Sequence, residues 1–493
     1  MKSQGKKQLQ RPLTERITDV YIITMLFLFP LFFGFSGYSQ ITLSKFVFLL
    51  AATGAWLIAL LTAALLRRAE APARCAPQLA ALALAAAAVV SWLCCGDLKT
   101  SFLGAGRFDG LLSTLVYVVI FLGVSAYSRL RAFHLRVFSA SLCLVLLIAL
   151  LQLCGFNPLW LFPGDYSYYD AGVRYSGVFL GTVGNTNILD AILCLALPCC
   201  FALYVCDIDR FPLVPAVLSV PVLCKAGGDG LKVAMLFIAL VLPPALLTDV
   251  GRIRRALRGL AWLLLAAALG TLWQPGPGKP LHFAAAPLPF LLLAAAGLLA
   301  GLSLCPLPKR FAPKPKTLRR FFSILSAAAL LAGLATLLFF PWKDGTIYEI
   351  SQTLRGHAQD SFGSSRIRIW RGCLALVPAH PLLGCGPGML PAYLDVPFSR
   401  YVPETGKTLR TFADNAHNIY LAALVNTGIL GLLAHLATLV CAAILAIRRR
   451  RDPLRLSLAL GLACASAHAF FGLGLCISEP LYWLALGLLC SKE

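Results

Sequence analysis

The composition of this 493-residue chain excludes a water-soluble globular protein. Hydrophobic residues make up 59% of the sequence and charged residues 13%, and the mean hydropathy is +0.79. The formal net charge of +22 could suggest a nucleic-acid partner. The basic residues alternate with apolar runs, however, and this pattern is typical of membrane topology. No nucleic-acid partner is predicted.

Apolar runs recur along the whole chain, and about 20 apolar residues cross the hydrocarbon core of a bilayer as a helix. The sequence therefore predicts an all-α, polytopic integral membrane protein with about 12–14 transmembrane helices. The predicted spans are 20–36, 41–66, 77–95, 112–127, 137–155, 188–206, 211–224, 231–247, 259–273, 283–304, 321–340, 418–446, 454–473 and 477–490. The seventh and eighth runs could fail to cross, because the seventh is short and rich in proline, and the topology elsewhere would be unchanged.

Clusters of lysine and arginine fall in alternate loops of this arrangement. They lie at 6–16, 67–74, 129–136, 252–258, 309–320 and 448–451. Because positive loops are retained in the cytoplasm, both termini are predicted to be cytoplasmic. The first apolar run has no small-residue cleavage site, which favours an uncleaved anchor over a signal peptide.

The predicted topology divides the chain into three parts. Residues 1–340 hold about eleven spans, 341–417 form a long extracytoplasmic loop, and 418–493 hold three further spans. A loop of this length is either functional or disordered. Aromatic and aliphatic residues occur throughout it, which disfavours disorder.

Within the loop, the stretch SSRIRIWRGCLALVPAHPLLGCGPG predicts a short helix that begins at Ser364 or Ser365 and ends near Val377. One apolar stripe is predicted along it, formed by Ile369, Cys373 and Leu376. Four basic or aromatic side chains lie on its other faces, namely Arg366, Arg368, Trp370 and Arg371. The alternative interpretation is an interfacial helix whose arginines only reach the lipid phosphates.

Two further arginines, Arg107 and Arg174, are predicted on the same outer side. Lysine and arginine are depleted in extracytoplasmic loops, so their presence there indicates a functional role. Guanidinium groups bind phosphate oxygens bidentately, and several of them together would suit a diphosphate. No carboxylate cluster typical of a magnesium site accompanies them, so neither a metal nor another cofactor is expected.

His417 lies at the predicted outer end of the long apolar run that follows the loop. The positive end of the helix dipole disfavours an imidazolium there, so a neutral imidazole could accept a proton. Asp414 could cap the helix and Asn418 could hold a substrate hydroxyl. The alternative interpretation is that His417 only caps the helix or packs against neighbouring side chains.

The ordered set SSRIRIW, AHPLLGCGPG and AHNIYLAALVNTGILG resembles the O-antigen ligase and polymerase superfamily. The segments GRFDG and RYSGVFLGTVGNTN resemble its two outer arginine-containing segments, the second with Asn185 and Asn187 opening a span. The chain departs from the family pattern at CKAGGDGLKVA, where a lysine stands in for an arginine turn, and at Asn426, where a glutamate is more usual.

The resemblance implies glycan transfer from an undecaprenyl-pyrophosphate carrier to a hydroxyl acceptor, outside the membrane and without metal. Arg366 and His417 are the implied catalytic residues, with His417 as base. The implied substrate-binding residues are Arg174, Arg107, Arg368, Arg371, Trp370, Asn185, Asn187 and Asn418. The acceptor could be a glycan, a lipid or a protein, with membrane lipid as the surrounding partner.

Polymerase, ligase and O-oligosaccharyltransferase roles remain open at this point. A transporter or flippase of lipid-linked saccharide is the alternative class, and a non-catalytic scaffold is a third. A transporter typically places ionisable residues at mid-membrane and shows two similar halves. The predicted spans are nearly free of charge, which favours an enzyme.

Overall fold

The computed structural model describes residues 11–162, 166–170, 175, 177–284, 286–305, 313–402 and 407–492. The described helices are α1 (Leu13–Ile23), α2 (Ile41–Leu65), α3 (Ala76–Leu93), α4 (Leu98–Leu103), α5 (Leu111–Tyr127), α6 (Ala132–Leu153), α7 (Thr186–Val205), α8 (Leu213–Ala226), α9 (Asp229–Leu246), α10 (Val250–Leu272), α11 (Pro287–Leu304), α12 (Pro315–Phe339), α13 (Gly345–Leu354), α14 (Phe362–Leu376), α15 (Leu390–Tyr393), α16 (Ile419–Arg448), α17 (Pro453–His468) and α18 (Glu479–Cys490). Helix α1 continues through a π-helical turn, Thr24–Leu28, into Phe29–Leu31.

Every predicted span overlaps a described helix. Nine helices among the described residues are long and apolar enough to cross a bilayer: α2, α3, α6, α7, α9, α10, α11, α12 and α16. Shorter apolar helices are α5, α8 and α18. A polytopic helical membrane protein is therefore confirmed, while the cytoplasmic position of both termini stays a prediction.

The first span is the least accurate prediction. It was placed at 20–36, whereas the helix begins at Leu13 and ends near Leu31. Its first turns contain Glu15 and Asp19, both of which pair with Arg131, and Asp19 also lies 3.3 Å from the ring of His134. The hydropathy pattern did not predict these turns as part of the span, because they contain charged residues. Burial of their carboxylates is tolerated only because distant residues pair with them.

Helix α7 lies at the centre of the bundle and packs against α8, α9, α10 and α17. Most of its apolar window is buried, whereas none of the window of α12 is. Helix α12 instead packs along α9 and exposes its other faces. The core of the protein is therefore built around α7, and α12 is peripheral.

The segment between α12 and α16 is folded, as its composition predicted. It contains α13, α14, α15 and a hairpin of two antiparallel strands, β3 (Pro397–Val402) and β4 (Lys407–Phe412). A second strand pair precedes α7, with β1 at Phe179–Leu180 and β2 at Gly184–Asn185. Apolar residues of α14 and of the later loop form their own small core against α16.

Helix α16 is broken at Gly428, whose backbone has φ +66° and ψ −171°. A Cβ atom at this position would overlap the carbonyl of Leu382, so only glycine fits. The turn 381–388, which is the PLLGCGPG motif, lies directly against the break.

The turn replaces the hydrogen bonds that the break removes from α16. Two amides of the turn donate to helix carbonyls, Cys385 to Val425 at 2.9 Å and Gly386 to Asn426 at 3.0 Å. In return, the amide of Ile429 donates to the carbonyl of Pro381 at 3.0 Å. Unpaired backbone groups are costly in a membrane protein, and here the loop satisfies them. The glycine motifs therefore build one junction between the late loop and α16.

The same turn also holds the segment that precedes α5. The amide of Ala105 donates to the carbonyl of Gly388 at 2.9 Å, and the hydroxyl of Ser101 donates to the carbonyl of Pro387 at 2.9 Å. This connection brings Arg107 to the end of the bundle at which α16 begins.

Candidate functional site

A polar cavity of about 320 Å³ lies where several helices begin. Its lining residues are Asn187, Gly227, Gly228, Asp229, Ser364, Arg366 and His417. They come from the first turns of α7, α9 and α14 and from the residues just before α16. Helix N-termini carry partial positive charge and unpaired N–H groups, so such a cavity favours an anion.

His417 is held in the cavity wall by a strained turn. Its backbone has φ +48°, a left-handed conformation that is uncommon outside glycine. Its amide donates to the side chain of Asn415 at 2.9 Å, and Asn418 caps α16 by accepting from the amide of Leu421 at 3.0 Å. The prediction that Asp414 caps this helix is therefore wrong, because Asp414 pairs with Arg107 instead.

The imidazole of His417 is largely buried, and its Nδ1 atom has no hydrogen-bond partner among the described residues. Burial lowers the pKa of His417 to about 4, and the positive charges of Arg366 and Arg107 act in the same direction. The neutral imidazole expected from the sequence is thus favoured by burial first and by arginines second, not only by the helix dipole.

Arg366 follows a turn in which Gly363, Ser364 and Ser365 all have left-handed φ values. This turn replaces the serine cap predicted for α14, and no side-chain cap bond is formed at the start of the helix. The guanidinium donates through Nη1 to the carbonyl of Gly363 at 2.9 Å, while Nε is buried without a partner. Among the described residues no carboxylate is in ion-pair contact with Arg366, and the carboxylate of Asp229 in the same cavity acts on it only through longer-range attraction.

Trp370 lies one turn further along α14, and its indole donates to the carbonyl of Ala416 at 3.0 Å. It does not line the cavity. The predicted apolar stripe of α14 is confirmed, with Ile369 and Cys373 buried and Leu376 packed beside them.

Arg107 lies beside the cavity and is paired with Asp414, with Nε 2.8 Å from the carboxylate. The positive charge of Arg107 repels a protonated imidazole and so contributes to the lowered pKa of His417. Nearby, burial raises the pKa of Asp109 to about 6, and one of its carboxylate oxygens has no partner among the described residues.

The other predicted site residues lie outside the cavity. The guanidinium of Arg368 stacks over the ring of Phe398 at 5.9 Å, and Arg371 is exposed and pairs with Asp360. Asn185 caps α7 by accepting from the amide of Asn187 at 2.8 Å. Arg174 lies outside the described residues. The structure therefore brings together Arg366, His417 and Asn187 and keeps Arg107 close to them.

Asp229 and the two glycines before it were missed as site residues. The carboxylate of Asp229 accepts from Lys232 at 2.9 Å and from Thr346 at 3.1 Å. The amide of Gly228 donates to the buried Asp190 of α7 at 2.8 Å, which fixes the turn against that helix. The charge of Lys232 is thus engaged by Asp229. The Gly-Gly-Asp sequence at the start of a predicted span was the feature of the sequence that could have indicated these site residues.

A second cavity, of about 130 Å³, shares the segment 414–419 with the first. Its polar and aromatic lining includes Asp109, Tyr117, Asp414, Asn415, Asn426, Glu479 and Trp483. The hydroxyl of Tyr117 is buried and has no hydrogen-bond partner among the described residues. The two cavities differ in their charged groups, because the first is lined by Arg366 and Asp229 and the second by three carboxylates without an arginine in its lining.

Residues 230–436 match the family model described as O-antigen ligase. The matched region runs from α9 into α16 and includes Arg366, the glycine turn and His417. No curated protein matches the chain. The family match confirms the resemblance drawn from the motifs and supports a glycosyl-transferring membrane enzyme of the ligase or polymerase type.

Proposed function

We propose that this chain, whose residues 230–436 match the O-antigen ligase family model, transfers a glycan from an undecaprenyl-pyrophosphate carrier to a hydroxyl acceptor. The reaction takes place at the outer face of the cytoplasmic membrane. One observation carries the proposal: Arg366 and His417 line the same polar cavity, and each has a buried nitrogen with no hydrogen-bond partner in the described part of the chain.

The first cavity suits the diphosphate of the donor. Arg366 supplies a guanidinium that has no ion-pair contact among the described residues, and the surrounding helix starts supply partial positive charges. Arg107 is held nearby by Asp414 and would have to exchange this carboxylate for the diphosphate in order to bind it. Arg174 is a further proposed ligand from the segment before α7. Positive groups held in this position stabilise the charge that develops on the departing diphosphate.

His417 is the proposed base. The acceptor hydroxyl attacks the anomeric carbon and the bond from that carbon to the diphosphate oxygen breaks, while the imidazole accepts the hydroxyl proton. In the empty cavity the pKa of His417 is lowered partly by the two arginines. A bound diphosphate neutralises these charges and thereby raises the pKa, so the imidazole becomes a stronger base only when the donor is present.

The second cavity is the proposed route for the acceptor. Carboxylates and amides accept and donate hydrogen bonds to sugar hydroxyls, and the unpartnered groups of Asp109 and Tyr117 are available for this purpose. The shared segment 414–419 places this cavity next to His417. The acceptor would therefore approach from the carboxylate side and the donor from the arginine side.

The direct test uses purified protein reconstituted with lipid-linked oligosaccharide from the native host. We expect release of undecaprenyl pyrophosphate together with a lengthened or transferred glycan. His417→Ala and Arg366→Ala should lose both products, while Arg371→Ala, an exposed arginine on the same helix, should keep them. Release of neither product by the native protein, or normal products from His417→Ala, would contradict the proposal. Movement of intact donor across the membrane without release would indicate a flippase.

A further inference from the structure

An apolar slot of about 490 Å³ lies between five helices, at the end of the bundle far from His417. It is formed by the second halves of α9 and α16, the start of α12, and α17 and α18. Small side chains make the space, namely Ala245, Ala442, Ala443, Ala446, Ala459 and Ala463. The slot separates the peripheral helix α12 from the C-terminal helices.

The length of the slot matches one leaflet of a bilayer. Along α17 its lining runs from Leu456 to Ser466, and ten residues of helix span about 15 Å. The hydrocarbon core of a bilayer is about 30 Å thick, so this distance is half of it. One end of the slot is bounded by Ser466 and Tyr482, whose hydroxyls are hydrogen-bonded at 2.7 Å.

The other end of the slot opens beside two arginines, Arg319 and Arg450. Both are exposed, and neither has an ion-pair or hydrogen-bond partner among the described residues. Neighbouring basic residues differ, since Arg449 donates to the carbonyl of Ser491 at 3.0 Å and Arg455 pairs with Asp452. The slot is thus an apolar groove with two cations at its mouth that have no side-chain partner among the described residues.

We propose that this slot binds an anionic glycerophospholipid in the leaflet opposite the His417 cavity. One acyl chain fills the slot, and the headgroup phosphate contacts Arg319 and Arg450. Basic pockets between membrane helices bind anionic headgroups in this way. A polyprenyl chain is far longer than the slot, which extends roughly 15 Å along α17, and does not suit it. The lipid would bridge α12 to α16 and α17, and the assignment does not depend on glycosyl transfer.

The test measures lipid binding to the full chain in detergent by native mass spectrometry, with dioleoyl phosphatidylglycerol, dioleoyl phosphatidylcholine and undecaprenyl phosphate as separate probes. We expect the native protein to retain one phosphatidylglycerol in preference to the other two. The double variant Arg319→Gln/Arg450→Gln should bind it roughly 20- to 30-fold more weakly, since each arginine near the headgroup is lost. The control is Arg320→Gln/Arg451→Gln, which removes the same charge from adjacent positions and should bind normally.

A second variant separates the slot from general surface attraction. Ala443→Trp fills the apolar space and leaves both arginines in place, so it should also lose the lipid. Equal retention of phosphatidylglycerol and phosphatidylcholine by the native protein overturns the proposal without any variant. Equal weakening in the control pair, unchanged binding by Ala443→Trp, or preferred binding of undecaprenyl phosphate would overturn it as well.

Discussion

The indole N–H of Trp370 donates to the carbonyl oxygen of Ala416 at 3.0 Å, and this bond joins the helix that carries Arg366 to the turn that carries His417. The two proposed catalytic residues are far apart in sequence and belong to separate elements. Their relative position therefore depends on contacts such as this one. Residues of this kind affect a reaction through geometry without contacting the substrate.

Trp370→Phe removes the N–H and keeps most of the ring. We expect the protein to fold, with a loss of about 1 kcal/mol for the hydrogen bond, and turnover to fall by roughly tenfold because His417 is less well held. Turnover and thermal unfolding in detergent are the measurements. Trp342→Phe is the control, because that indole donates to Thr336 outside the cavity. Equal turnover in both variants would show that the bond does not position the site.

Arg366 should not be replaceable by lysine. Lysine keeps the charge but lacks the planar pair of donors that binds two phosphate oxygens. We expect Arg366→Lys and Arg366→Ala to lower turnover by about 100-fold or more, a loss typical of removing a group that stabilises developing charge. The same two substitutions at Arg371, which pairs with Asp360 outside the cavity, should change turnover little. Activity of Arg366→Lys near the native level would argue against a bidentate contact.

The pH dependence should identify His417 as a base with a lowered pKa. In the free enzyme its pKa is about 4, so kcat/KM for the donor, measured at saturating acceptor, should stay level as the pH falls from 8 and decline only near that value. With the donor bound, the diphosphate raises the pKa, so kcat should decline at a higher pH than kcat/KM does. A decline of kcat/KM already at the ordinary histidine value would contradict this assignment.

Asp109 should act on the acceptor and not on the donor. Asp109→Asn keeps the shape of the side chain and removes its charge, so we expect a raised KM for the acceptor with an unchanged KM for the donor. Burial raises the pKa of Asp109 to about 6, so the native protein should lose this contribution as the pH falls below that value. Asp360→Asn, at an exposed pair, is the control. Equal effects on both substrates would remove Asp109 from the acceptor side.

Gly428 should be irreplaceable for a structural reason. Its φ of +66° is unfavourable for any other residue, and a Cβ would overlap the carbonyl of Leu382. We expect Gly428→Ala to destabilise the protein by at least about 2 kcal/mol and to abolish activity, measured by unfolding in detergent and by product release. Gly333→Ala in α12 meets no neighbouring atom and is the matched control. Native stability of Gly428→Ala would disprove the junction described for α16.

The ordered motifs were sufficient to select Arg366 and His417, and both lie in one cavity. They were not sufficient to separate Arg366 from Arg368 and Arg371. The three arginines are within one and a half turns of a helix, and periodicity alone does not say which face meets the cavity. Asp229 was overlooked because a lone aspartate at a helix start is usually an ordinary first-turn residue.

The sequence by itself determined the class of protein and the approximate positions of its apolar helices, because a bilayer demands long apolar helices and this demand is visible in composition and run length. Its ordered motifs also indicated the resemblance to the O-antigen ligase and polymerase superfamily. Only the tertiary structure decided the start of α1, the break of α16 at Gly428 and the convergence of α7, α9, α14 and α16 on one cavity. Each of these depends on partners distant in sequence. Buried carboxylates need Arg131, and the exposed backbone of a broken helix needs the turn 381–388. Such pairings leave no local pattern, so they emerge only when the chain is folded.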